Sequence, residues 1–177
     1  LELPNAAGDN FAGAIQRLEA LFLFAMRGLT ESDDYNGLAL TGGLMWRDIA
    51  LIRALSRFLR QQRIPFSHEY MAAALRKHPA LAAPRVALFH ARFDPHATGK
   101  VKKGDDDRGK REAGIVAEIE EALGKVDSLD EDRIVRRFVN AVQSAIRTNY
   151  YQLDKDGQPT QEISINFSSR KPDGVPN

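Results

Sequence analysis

Along most of this chain apolar residues recur at steps of three and four, the spacing that turns one face of a helix toward a core. Over residues 10–27, Phe11, Ile15, Leu18, Phe22 and Ala25 keep that step, with Asp9 or Asn10 placed to cap the helix and Gly28 to end it. After the polar turn "TESDDYNG" a second helix is predicted over 44–62, with Leu44, Ile49, Ile52, Leu55 and Leu59 as its core stripe. Pro65 breaks it. Ser67 then stands at an N-cap between Phe66 and Met71, the two hydrophobic-staple positions, and starts a short third helix ending near His78 and Pro79. A fourth is expected from Pro84, as a first-turn proline, to Phe93.

Residues 94–112 hold three glycines, a proline and a mixed charge run, and read as an exposed connection. A fifth helix follows over 113–126 with Ile115, Ile119 and Leu123 in register. "SLDE" at 128–131 has the capping-box pattern and opens a sixth over 129–148. There Ile134, Phe138, Ala141 and Ala145 form one apolar row, and Val135, Val139, Val142 and Ile146 an adjoining one. The period then changes to two. Residues 150–153 and 161–167 are candidate strands about the turn signal Asp156-Gly157, and Ile163, Ile165 and Phe167 line one face of the second. A lone strand is unstable in water, so "QEISINF" needs a partner. The expected fold is mainly α: a bundle of about six helices with a short C-terminal β-hairpin or strand. It divides into a helical region (1–95), an exposed linker (96–112), a helical pair (113–149) and a hairpin or strand (150–177) leading toward a catalytic domain.

Composition narrows the class without naming a function. The 177 residues are 43% hydrophobic and 28% charged, and 25 basic against 24 acidic side chains leave a net charge of +1. Such a balance gives no general attraction to nucleic acid or to an anionic membrane. No apolar run approaches the roughly 18 residues of a membrane span, and no basic-then-apolar leader precedes the first helix. The absence of cysteine excludes disulfides and thiol chemistry and fits a cytoplasmic protein. Leu1 in place of an initiator methionine fits a piece of something longer, and fits processing equally.

Candidate chemistry is sparse. Gly42-Gly43 before a helix could present amides to an anion, but no strand precedes it and no phosphate-loop motif surrounds it, so close helix packing is the plainer reading. His90, Asp94 and His96 combine metal-ligand types at short spacing, yet Pro95 interrupts the helix between two of them; a packing histidine and a solvated loop histidine are expected instead. No serine lies in a nucleophile motif, and Glu118, Glu120 and Glu121 belong to a solvated face. Arg47, Arg53, Arg57, Arg60 and Arg63 give the second helix five positive charges against Asp48. Contact with nucleic acid through Arg53, Arg57 and Arg60 is the alternative reading; a salt-bridge face between domains or subunits is the favoured one. No catalytic, cofactor-binding or metal-binding residue is assigned.

Two stretches carry a family resemblance. "EDRIVRRFVNAVQSAIRTNYYQ" followed by "DGQPTQEISINFSSRK" closely resembles the segment just upstream of the catalytic domain in the large-subunit, NAD-specific bacterial glutamate dehydrogenases, where an arginine-rich helix ending in R-T-N-[YF]-[YF]-Q precedes a D-G turn and a strand. Residues 33–95 resemble the same family's helical region, with Asn36, Leu38, Leu40, Gly43-Leu44, Trp46-Arg47, Arg53, Gln61, Phe66-Ser67, Tyr70, Leu75 and Phe93-Asp94-Pro95 in place. The resemblance implies a parent enzyme that deaminates L-glutamate oxidatively to 2-oxoglutarate and ammonia with NAD. It also implies that the catalytic residues and dinucleotide glycines lie beyond Asn177, so this segment is expected to be inactive and to hold no cofactor. Its expected role is to link regulatory-type and catalytic domains. Its expected partners are the remaining domains of the parent chain and a homo-oligomer of the parent, with neither membrane nor nucleic acid.

Overall fold

The computed structural model describes residues 11–96 and 107–168; the candidate caps Asp9 and Asn10, residues 97–106 of the expected linker and residues 169–177 lie outside them. The described chain is mainly α: α1 (Phe11–Met26), a 3-10 turn (Asp34–Gly37), α2 (Leu38–Thr41), α3 (Trp46–Gln61), α4 (His68–Lys77), α5 (Pro79–Phe93), α6 (Asp107–Leu123) and α7 (Leu129–Ser144), then β1 (Ala145–Thr148) and β2 (Ile165–Phe167). The helices surround one core. Ile49, Ile52, Leu55 and Leu59 of α3 are buried as their period requires, as is Leu44 just ahead of the helix, which starts at Trp46 rather than at 44; they share one core cluster with Met71 and Leu75 of α4, Leu88 and Phe89 of α5 and Phe138 and Val142 of α7. α6 packs along α5, while α7 packs on α3, α4 and α5, so the helices on either side of residues 94–112 share that core.

Local signals set most of the termini. Gly28, at φ 67°, closes α1 in a Schellman motif: its N–H reaches Ala25 O at 3.0 Å and that of Leu29 reaches Phe24 O at 2.9 Å. α3 ends the same way, but with Arg63 at φ 59° in the left-handed position; Arg63 N–H bonds Arg60 O at 2.9 Å and Ile64 N–H bonds Leu59 O at 3.4 Å. Ser67 caps α4 by accepting from Tyr70 N–H at 3.1 Å, and Ser128 caps α7 by accepting from Glu131 N–H at 3.4 Å.

Four expectations are corrected. Among the described side chains of α1 Leu21 is buried, while Phe22 is 63% exposed; α1 instead docks through Phe24, stacked on Trp46 at 4.2 Å. α5 starts at Pro79 rather than Pro84, because Pro79 occupies the first turn and leaves Pro84 inside the helix at the cost of one backbone bond. α6 starts at Asp107, not at 113, and the added turn is anchored by Glu112 accepting from Arg92 Nη1 at 2.9 Å. α7 stops at Ser144, whose hydroxyl turns back to Ala141 O at 2.9 Å, and Ala145 is already extended. Ile146, read as core, is therefore 63% exposed.

That early stop supplies the partner for the C-terminal strand. β1 and β2 pair antiparallel, Ala145 opposite Phe167, Arg147 opposite Asn166 and Thr148 opposite Ile165, with Ile146 bulged out. Residues 150–153 pair only through a bridge between Leu153 and Pro159 beside the turn. Phe167 stacks face to face on Phe58 of α3 at 3.6 Å, while Ile163 and Ile165 pack against the core.

A candidate junction site built on tyrosines

The "RTNYYQ" run leaves β1 and crosses to the N-terminal end of α3. Asn149 extends the ladder with its side chain: Nδ2 donates to Glu162 O at 2.9 Å and Oδ1 accepts from Ser164 N–H at 2.7 Å. Thr148 Oγ1 donates to Ser164 O at 2.9 Å and accepts from Tyr150 N–H at 3.0 Å, which turns the two tyrosines inward. Tyr150 then donates its hydroxyl to Asp48 Oδ1 at 2.7 Å. Asp48 also accepts from His90 Nε2–H at 2.9 Å, and His90 Nδ1 faces the hydroxyl of Tyr151. Arg47 completes the junction from α3, donating to Tyr150 O at 2.6 Å and Thr160 O at 2.8 Å, with its guanidinium 4.7 Å from the centre of the Tyr150 ring.

The electrostatics hold this cluster together and keep it neutral at the phenols. Burial first, then the negative charge of Asp48, pushes the Tyr150 phenol far above its ordinary range; Tyr151 is raised by burial, then by Asp94 and Asp48. Asp48 lies in the first turn of α3, where the helix dipole favours a carboxylate. Both tyrosines therefore remain donors at physiological pH, and the chain Tyr151–His90–Asp48–Tyr150 ties α3, α5 and the C-terminal segment together.

The structure distributes the sequence candidates widely. His90 belongs to the junction, with both ring nitrogens engaged, while the carboxylate of Asp94 accepts from the backbone N–H of His96 at 2.8 Å. Among the described residues no group of three or more histidines, aspartates or glutamates is placed to hold a metal ion. At Gly42 an added Cβ would lie 3.0 Å from Ala82 Cβ, so the glycine serves close packing of the loop on α5. Arg53 is buried and bonds both carboxylate oxygens of Asp33, at 2.5 and 2.9 Å, as well as Asn36 Oδ1 at 3.0 Å. Arg57 pairs with Glu31, and Arg60 donates to Phe66 O at 3.0 Å. On the charged face of α6, Glu120 accepts from Arg136 of α7.

One constellation carried no sequence signal. The hydroxyl of Tyr35 donates to Ser56 Oγ at 2.6 Å, and Ser56 Oγ is hydrogen-bonded to His68 Nδ1 at 2.6 Å. This is a nucleophile–base contact in form, but Ser56 is wholly buried and its oxygen is occupied by Tyr35, whose phenol burial pushes up to about 12. The relay lies beneath a cavity of about 370 Å³ bordered by Asp33, Arg53, Arg57 and Glu69.

The comparisons fit this geometry. The family model "Glutamate dehydrogenase, helical motif 3" matches residues 30–95, and "Bacterial NAD-glutamate dehydrogenase, catalytic domain" matches residues 118–177. The junction thus joins the two matched regions: Arg47, Asp48 and His90 from the first, Tyr150 and Tyr151 from the second. The second match begins inside α6, whereas the sequence reading put the catalytic domain beyond Asn177. Among curated proteins, the NAD-specific glutamate dehydrogenase of Pseudomonas aeruginosa is 37% identical over 86% of the chain, that of Halomonas elongata 31% over 94% and that of Mycobacterium tuberculosis 37% over 70%. The chain spans only 7–9% of those relatives' own length. No solved structure matches it. Two regions of one enzyme family, matched in order along the chain, together with relatives 31–37% identical over most of it, place it in the family of the bacterial NAD-specific glutamate dehydrogenases.

Proposed function

We propose that this chain is a non-catalytic helical segment of an NAD-dependent glutamate dehydrogenase, and that it links regulatory-type domains to the catalytic part. In the parent reaction L-glutamate, water and NAD yield 2-oxoglutarate, ammonia and NADH. The segment's partners are the remaining domains of the parent chain within a cytoplasmic homo-oligomer. In this reading the helical-motif region, residues 30–95, packs on the segment that opens the catalytic-domain region, residues 118–177, and the reacting groups lie elsewhere in the parent chain. Among the described residues no helix is long and apolar enough to cross a membrane.

The observation that carries the proposal is the junction itself. Its polar groups are spent on one another and on backbone carbonyls, as expected of a part that fixes the mutual position of two regions. NADH absorbance at 340 nm on purified chain with L-glutamate and NAD is expected to stay flat, while the parent enzyme turns over. Substituting Arg47→Ala in the parent is expected to lower kcat or shift effector response with the dinucleotide Kd unchanged. Glutamate-dependent NADH from the chain alone would overturn the non-catalytic assignment.

A further inference from the structure

Arg85 of α5 is 1% exposed, and none of its three guanidinium nitrogens has a hydrogen-bond partner. Its helical neighbours Leu81, Ala82, Leu88 and Phe89 are all buried and apolar. Seven residues on, and so on the same face, Arg92 finds Glu112 of α6 at 2.9 Å. Arg85 has no such acid: burial alone, with no opposing charge, draws its guanidinium down to about 9. At neutral pH it is still a cation. A buried, unpaired charge costs several kcal/mol, and proteins keep such a group where an anion completes it.

We propose that Arg85 is an internal carboxylate-binding site, its fork of N–H donors taking one planar carboxylate by two parallel hydrogen bonds. The planar guanidinium matches a carboxylate better than it matches a spherical anion. Two sources share that chemistry. One is a small free carboxylate reaching the core by local opening of α5 and α6. The other is an acidic side chain from elsewhere in the parent polypeptide; this second source rests on the dehydrogenase reading above, the first does not.

The test is thermal unfolding of the 177-residue chain at constant ionic strength, titrating acetate against chloride, for the wild type, Arg85→Met and Arg85→Lys. A free-carboxylate site gives the wild type a saturable rise of about 5–10 °C at a hundredfold excess over Kd. That rise is absent in Arg85→Met and weakened in Arg85→Lys, which keeps the charge and loses the fork. A polypeptide-borne carboxylate gives no acetate response; Arg85→Met then raises the midpoint of the chain alone and lowers that of the full-length enzyme. Either result supports the site. It is overturned if acetate has no effect and Arg85→Met lowers or leaves unchanged the midpoint of the chain, or raises it in chain and full-length enzyme alike. Failure of the dehydrogenase reading is a separate result: a full-length protein without glutamate-dependent NADH formation, whatever the midpoints do.

Discussion

Asp48 accepts the hydroxyl of Tyr150 at 2.7 Å across 102 residues of sequence. Because Tyr150 is only 7% exposed and Asp48 retains His90 as a second donor, Tyr150→Phe removes one charge-assisted bond without emptying the core. The expected cost is about 1–3 kcal/mol, read as a lower urea midpoint at unchanged m-value. Asp48→Asn leaves a poorer acceptor for both donors and is expected to cost at least as much. A midpoint unmoved by either change would mean that the junction does not hold the two regions together.

The arginines of α3 should differ sharply despite their common charge. Arg53 is 4% exposed and donates to five acceptors in and around the Asp33 turn, whereas Arg57 and Glu31 are each about half exposed. Arg53→Ala is expected to cost about 3 kcal/mol, since Asp33 then loses the partner that fixes it. Arg57→Ala is expected to cost less than about 1 kcal/mol. Denaturant titrations of the two variants check the contrast, and equal effects would contradict it.

How far these features can be read from sequence depends on whether their cause is local. The caps at Ser67 and Ser128 and the α3 stripe follow from residues a few positions apart, and the structure contains them as expected. The α1 face did not follow, because only the landing place of Trp46 makes Phe24 the docking residue and leaves Phe22 in water. Ala145 and Ile146 extend the apolar period of α7; what makes their segment a strand is β2, some twenty residues later. The junction was the least legible part. His90 read as a packing histidine and Asp48 as a stray negative charge, and neither carries any mark of partners 61 and 102 residues away.

Arg63 sits in the left-handed conformation that closes α3, a position where a Cβ costs roughly 1–2 kcal/mol. Glycine removes that strain and adds unfolded-state entropy, so the two effects oppose each other. Arg63→Gly is expected to stabilise the chain by up to about 1 kcal/mol, measured by calorimetry as a rise in the midpoint. A fall would show that the Arg63 side chain holds more than the strain costs.

Glu131 gives the acid limb of stability. It is 9% exposed and accepts from His78 Nε2 at 2.6 Å and from Lys77 at 2.8 Å, and these donors, His78 first, hold its carboxyl below the usual range. A carboxyl depressed in the folded state contributes stability above its unfolded pKa of about 4.3 and loses it as pH falls through the folded value. The stability gap between wild type and Glu131→Gln is therefore expected to be present at pH 5 and to close below about 4. Urea midpoints across that range measure it. A gap that persists undiminished well below pH 4 would refute the assignment.

Phe167 settles how the C-terminal strand is held. β2 has three residues and one strand neighbour, a pairing that is marginal by itself in water. Its anchorage is the stack on Phe58, at 3.6 Å and 7° between ring planes, with Ile163 and Ile165 packing beside it. The ladder contributes register, through Ser168 N–H to Ser144 O at 2.8 Å and Asn149 N–H to Ser164 O at 3.2 Å, and the aromatic contact contributes the burial. Phe167→Ala should therefore release the strand while leaving the helices folded: amide exchange at residues 165–168 is expected to accelerate at least tenfold, with protection in α3 and α7 retained. Arg147→Ala, at an exposed position beside the bulge, should leave those amides protected. If instead Phe167→Ala unfolds α7 together with the strand, the hairpin is part of the cooperative core, and its pairing with Ala145–Thr148 stabilises the helix from which β1 emerges.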